Sequence, residues 1–139
     1  MIDTREGFEE YLNEFNSGDY IEFVHKYFLD DAVFEKTGYT LKGADNIIDH
    51  FKNTVSSVIK ETITLINYME KDGLVSAELK IELKAMEDGF YIRERKKGEI
   101  EIEYCADFYN IKDNKIAHAR IYRRSVNEDT LDLKKIYSK

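Results

Sequence analysis

The stretch Phe8–Glu35, FEEYLNEFNSGDYIEFVHKYFLDDAVFE, decides the architecture because its apolar period changes along its length. Phe8, Tyr11, Leu12 and Phe15 recur at i, i+3, i+4 and i+7, the spacing of one helical face. Asp3 or Thr4 stands where an N-cap is needed, since a short polar side chain can satisfy the first free backbone N–H groups. Asn16-Ser17-Gly18 ends that helix. Asp19 opens another, with Glu22 three residues on completing a capping box. Its stripe is Tyr20, Phe23, Val24, Tyr27 and Phe28. Leu29-Asp30-Asp31 then interrupts the pattern, and Ala32-Val33-Phe34-Glu35 predicts a short strand.

Downstream, Gly38 and Gly43 bracket a turn, and Ile47, Ile48, Phe51 and Val55 predict a third helix. From Thr62 the period becomes two. Thr62–Met69 is one strand, and Lys71-Asp72-Gly73 is a turn. Val75, Ala77, Leu79, Ile81, Leu83 and Ala85 alternate strictly with polar residues, as a strand with one buried face does. Glu99–Ile111 and Lys115–Ser125 form a last hairpin about Asp113-Asn114, and the charged run Arg93–Lys97 is expected at a solvated hairpin tip. A short helix is expected over 127–137. Helices first and antiparallel strands afterwards, in the order α-α-β-α-β-β-β-β, spell an α+β domain spanning residues 1–139, with helices packed on one face of a curved sheet.

Composition removes several function classes. Twenty-one basic against twenty-eight acidic residues leave a net charge of −7, a poor match to nucleic-acid phosphates. Ten tyrosines and eight phenylalanines exclude a disordered tail. No apolar run approaches the roughly 20 residues of a membrane span, and the acidic start MIDTREGFEEY has no leader pattern. The single cysteine, Cys105, permits neither an internal disulfide nor a cysteine-based zinc site. A cytoplasmic protein without metal or cofactor is expected.

The opening pattern, with Phe8–Glu35 running into LKGADNIIDHF (Leu41–Phe51), resembles the nuclear-transport-factor-2-like (NTF2-like) superfamily. Within it, the chain is most similar to the SnoaL-like polyketide cyclases and the ketosteroid isomerases. The resemblance covers about residues 8–124. It implies a cystatin-like cone: three N-terminal helices on a curved, mostly antiparallel sheet, enclosing a pocket for a small hydrophobic molecule. It also implies a homodimer formed through the convex sheet face. By that resemblance Tyr11, seven residues before Gly18-Asp19, corresponds to the oxyanion-hole tyrosine of the isomerases. Asp107, in YCADFYNI (Tyr104–Ile111), corresponds to their second donor, a carboxylic acid kept unionised by an apolar site. The general-base aspartate that should follow Phe34-Glu35 is replaced by Lys36. An ammonium cannot shuttle a carbon-bound proton as a carboxylate does, and such a lysine is expected to reach solvent at the rim. Glu35 points to the opposite strand face and cannot take over. The place of the SnoaL-type catalytic aspartate is held by Ile121.

The reading that follows is a hydrophobic-ligand pocket, with Tyr11 and Asp107 donating to a ligand oxygen and Lys36 as the third site residue. Isomerisation, cyclisation or dehydration through oxyanion stabilisation is the implied chemistry. The alternatives are a non-catalytic NTF2-like binding or dimerisation module, with its cone filled by side chains, and the small subunit of a hetero-oligomeric enzyme. Phe28, Cys105, Tyr109, Ala119 and Ile121 are the expected ligand contacts.

Which way Asp107 points depends on register. A two-residue turn at Asp113-Asn114 pairs Asp107 with Arg120 on a salt-bridged surface. A three-residue loop, Lys112-Asp113-Asn114, pairs Asp107 with Ala119, Cys105 with Ile121 and Tyr109 with Ala117, and turns Asp107 toward the pocket. The second register is adopted, which leaves Ile102, Tyr104 and Phe108 on the convex side. Of the three histidines, His25 and His50 are expected on the surface and His118 facing away from the pocket.

Overall fold

A computed structural model describes residues 1–36, 38–54, 58–91 and 93–125; the helix expected over 127–137 lies outside them. Helix α1 (Arg5–Ser17) is capped by Thr4, whose side-chain oxygen accepts from the Gly7 N–H at 3.1 Å. It ends at Gly18, whose φ of 87° is the left-handed value that glycine takes without strain. Helix α2 (Tyr20–Tyr27) starts at Asp19, whose carboxylate accepts from the Glu22 N–H. Helix α3 (Ala44–Thr54) buries Ile47, Ile48 and Phe51. The expected Val55 of its stripe is outside the described residues.

Strand β1 (Phe28–Lys36) is longer than the four residues predicted. Leu29-Asp30-Asp31 is extended chain at a register irregularity between Phe28 and Val33, not a break. Strand β2 (Tyr39–Lys42), unpredicted, pairs antiparallel with β1. Strands β3 (Ile59–Lys71) and β4 (Leu74–Ala85) form the long hairpin about Asp72-Gly73. Short strands β5 (Gly89–Tyr91) and β6 (Arg93–Arg95) pair with each other. Strands β7 (Ile100–Lys112) and β8 (Lys115–Ser125) complete a six-stranded sheet of order β2-β1-β8-β7-β4-β3. Only β1 and β8 run parallel in it. The helices pack against one face of this curved sheet, and Phe8, Phe28, Ile47, Val75 and Ile116 are fully buried between the layers.

Two expectations are corrected. The run Arg93–Lys97 is not wholly solvated. Arg95 is 3% exposed, its Nη1 donates to Glu101 at 2.5 Å, and its Nε donates to the Tyr91 carbonyl. A buried guanidinium needs such partners, because its charge leaves water only at great cost.

The register of the last hairpin is also not the one adopted from sequence. Asp113 and Asn114 have φ of 53° and 60°, so they form a two-residue turn and pair Lys112 with Lys115. Between Asn110 and Ile111 the register then shifts, because Ala117 is an extra residue on β8. Beyond that bulge Asp107 pairs with Ile121, Cys105 with Arg123 and Tyr109 with Ala119, in place of the expected Ala119, Ile121 and Ala117. The turn alone would have put Asp107 on the outer surface. The bulge restores the parity, so Asp107 faces inward although its expected partners were wrong.

Candidate functional site

The helices and the concave face of the sheet enclose a cavity of about 270 Å³. Its inner wall is apolar, with Leu12, Phe34, Leu79, Ile81 and Leu83 buried around it. Into this wall β7 projects Cys105, Asp107 and Tyr109, one alternating face of the strand. Helix α1 contributes Tyr11 from above.

Asp107 is 3% exposed. Its Oδ2 accepts a hydrogen bond from the Tyr109 hydroxyl at 2.6 Å, while its Oδ1 has no partner among the described residues. Burial pushes this carboxyl from the ordinary 3.8 up to about 7, against the opposing pull of the Tyr109 hydrogen bond and the Lys36 charge. Near neutral pH the group is therefore divided between acid and carboxylate. In the acid form Oδ1 is free to carry the proton, on a residue that lines the cavity.

Tyr109 has one hydroxyl proton, and it is committed to Asp107. Tyr11 stands beside Tyr109 in the same buried wall, and each phenol bears on the other's ionisation. Burial, reinforced by the Asp107 charge, raises both phenols well above their ordinary range, so both stay protonated. Their rings also meet edge to face, with centroids 6.0 Å apart.

Of the residues singled out in the sequence, Tyr11, Lys36, Cys105, Asp107, Tyr109 and Ile121 line the cavity. Phe28 and Ala119 are fully buried core residues and do not. Phe28 stacks among Phe23 and Phe51 at the start of β1, and Ala119 lies between Phe34 and Tyr109 across neighbouring strands. The thiol of Cys105 is pushed up to about 12, first by burial and then by the Asp107 charge, so it is a small apolar filler and not a nucleophile. Glu35 points away from Lys36 and pairs with His118 at 2.9 Å on the other face, as expected for both.

His50 was expected on the surface but lines the cavity, where its Nε2 lies 2.9 Å from the Tyr39 hydroxyl. Burial, with a smaller effect of Lys36, lowers its pKa and favours the neutral ring beside Tyr39. Glu61, Tyr91, Glu103 and Arg123 also line the cavity and were missed. Glu103 is held by Arg123 at 2.6 Å. Glu61 is raised by burial and by the Glu103 charge, against Lys36. Stepping by two back from Asp107 reaches Glu103, and stepping by two back from Ile63 reaches Glu61, so both were legible from strand parity. Tyr39, His50 and Tyr91 were not, since their place depends on how α3 and the small β5–β6 hairpin close over the sheet.

A family model described as a SnoaL-like domain matches residues 8–119. The chain belongs to the SnoaL-like family, of NTF2-like fold. No match was found among curated proteins. A proposed polyketide cyclase from Xanthomonas campestris pv. campestris is similar in structure, with a TM-score of 0.68 at 15% identity, covering 94% of this chain and 91% of that one. A second proposed polyketide cyclase, from Pseudomonas putida, aligns with a TM-score of 0.68 at 19% identity over 84% of this chain and 87% of its own. An LEH-like epoxide hydrolase from M. tuberculosis gives 0.66 at 15% identity over 84% and 79%. At these identities the neighbours establish the fold. Among the described residues no group of His, Cys, Asp and Glu is arranged to hold a metal, and no helix is long and apolar enough to cross a membrane.

Proposed function

We propose that this protein binds a small hydrophobic molecule bearing a carbonyl-type oxygen, and that protonated Asp107 donates a hydrogen bond to that oxygen. The observation that carries this reading is the unpartnered Oδ1 of Asp107, a buried carboxyl on a residue lining the 270 Å³ cavity. A buried polar atom without a partner is costly unless something else, here a ligand, supplies one. Tyr109 orients the carboxyl, and Tyr11, which lines the same cavity, is the second donor to the ligand oxygen. The reactions such a donor serves are those that build negative charge on oxygen: isomerisation, cyclisation and dehydration. In this reading Asp107 supplies the stabilising half of the isomerase machinery, while the isomerases' base position is held by Lys36. The open cavity favours a ligand site over a module whose cone is filled by side chains. We further place the protein in the cytoplasm as a homodimer joined through the convex face, where Tyr104, Phe108 and the 57%-exposed Tyr122 cluster.

The test is calorimetric binding of 2-acetylnaphthalene, a ketone that can only accept. Wild-type affinity falls as pH rises through 7 and Asp107 loses its proton. Asp107→Leu, with no donor, binds roughly tenfold or more weakly at pH 6. Asp107→Asn presents an amide N–H and keeps its affinity at pH 8. Equal binding by Asp107→Leu and wild type would overturn the assignment.

A further inference from the structure

The parallel register of β1 with β8 sets Lys36 beside Ile121, and the antiparallel register of β7 with β8 sets Asp107 beside the same residue. Lys36, Ile121 and Asp107 are therefore level across three adjacent strands, with Lys36 about 10 Å from Asp107 along the sheet. All three line the cavity. The lysine is half-buried, and no carboxylate lies within 4.0 Å of its ammonium among the described residues, although it acts at longer range on Asp107, Glu61, Cys105 and His50. The other cation in the wall, Arg123, is already paired with Glu103. Lys36 is thus a charge turned into an apolar cavity and left without a close counter-ion, on the same level as a carboxyl whose Oδ1 is also unpartnered.

We propose that Lys36 is the specificity-determining residue of the cavity and selects ligands whose oxygen group is anionic, a carboxylate or an enolate. This rests on the Asp107 reading above and names the substrate class for the same site. The ligand anion lies between the Asp107 hydroxyl and the Lys36 ammonium. One oxygen accepts from the neutral acid while the charge is met by the cation, an arrangement stronger than either contact with a neutral group. Protonated Asp107 is required, since an ionised carboxylate beside the ligand would repel it. The groups facing this point are Lys36 from β1, Tyr11 from α1, Cys105 and Tyr109 from β7, and the neutral His50 from α3. Glu61 from β3, raised by burial and acted on by Lys36, and the buried Glu103 held by Arg123 line the same cavity.

The probes are 2-naphthoate and 2-acetylnaphthalene, which match in shape and differ in charge. At pH 6 wild-type protein binds 2-naphthoate at least about tenfold more tightly than the ketone. Lys36→Met, which keeps the length and removes the charge, loses that preference and holds 2-acetylnaphthalene within about twofold of wild type. Retained ketone binding also establishes that the variant is folded. If the ketone binds as tightly as 2-naphthoate to the wild type, or if Lys36→Met keeps the preference, the role of Lys36 is overturned while the Asp107 reading stands. If neither probe binds the wild type, both readings fall.

Discussion

Asp107 is held in a place that favours its acid form, and that has a consequence for folding. Its native pKa of about 7 lies above its ordinary value of 3.8. Below pH 4 the group is protonated both folded and unfolded and costs nothing. Between pH 4 and 7 the unfolded chain releases the proton while the native state keeps it, so stability drains away as pH rises through this window and levels off above it. The shift corresponds to about 4 kcal/mol at most. Asp107→Asn removes the titration while leaving an oxygen to accept from Tyr109. Urea denaturation is expected to show the variant and wild type nearly equal at pH 4, with the variant more stable at pH 8 by up to that amount. A difference that does not change with pH would contradict a raised Asp107.

At the scale of elements, the helices were legible because local chemistry decides them: Thr4 and Asp19 cap, Gly18 stops, and the apolar stripes repeat every three to four residues. The long strands were legible for the same reason, through strict alternation in Val75–Ala85 and turn residues at Asp72-Gly73 and Asp113-Asn114. What escaped was non-local. Strand β2 has four residues and exists because β1 offers it an edge. Arg95 stands in a run of charges that looks solvated, and only the approach of Glu101 on β7 buries it. The Ala117 bulge leaves no mark in composition, since Ile116-Ala117-His118-Ala119 alternates equally well in either parity. The inward face of β7 was read correctly from the family resemblance, although the strand's own alternation, with Ile102, Tyr104 and Phe108 apolar, argued for the opposite face. The partners of that face were missed because one extra residue on β8 displaced them all. For the cavity, parity placed Tyr109, Cys105 and Ile121, whereas Phe28 and Ala119 failed because a buried residue on the correct face still need not reach the void.

At the scale of the whole molecule, a six-stranded curved sheet has a convex face that none of α1, α2 and α3 covers. Tyr104, Phe108 and Tyr122 lie on it, with the Phe108 and Tyr122 rings 6.0 Å apart edge to face and Ile100 54% exposed nearby. An apolar patch of this kind marks an interaction surface. Sedimentation equilibrium is expected to give a dimer for the wild type and a monomer for Phe108→Glu. A wild-type monomer at all concentrations would remove the convex face as an interface without touching the cavity. The concave face carries the central claim, a carboxyl kept as a hydrogen-bond donor near neutral pH by an apolar enclosure. The most direct measurement is a carbon-13 NMR titration of the aspartate carboxyl carbons, with Asp107 assigned by its loss in Asp107→Asn. A midpoint near 7 is expected for Asp107. A midpoint near 3.8 would mean a carboxylate at neutral pH, and the proposed donor would not exist.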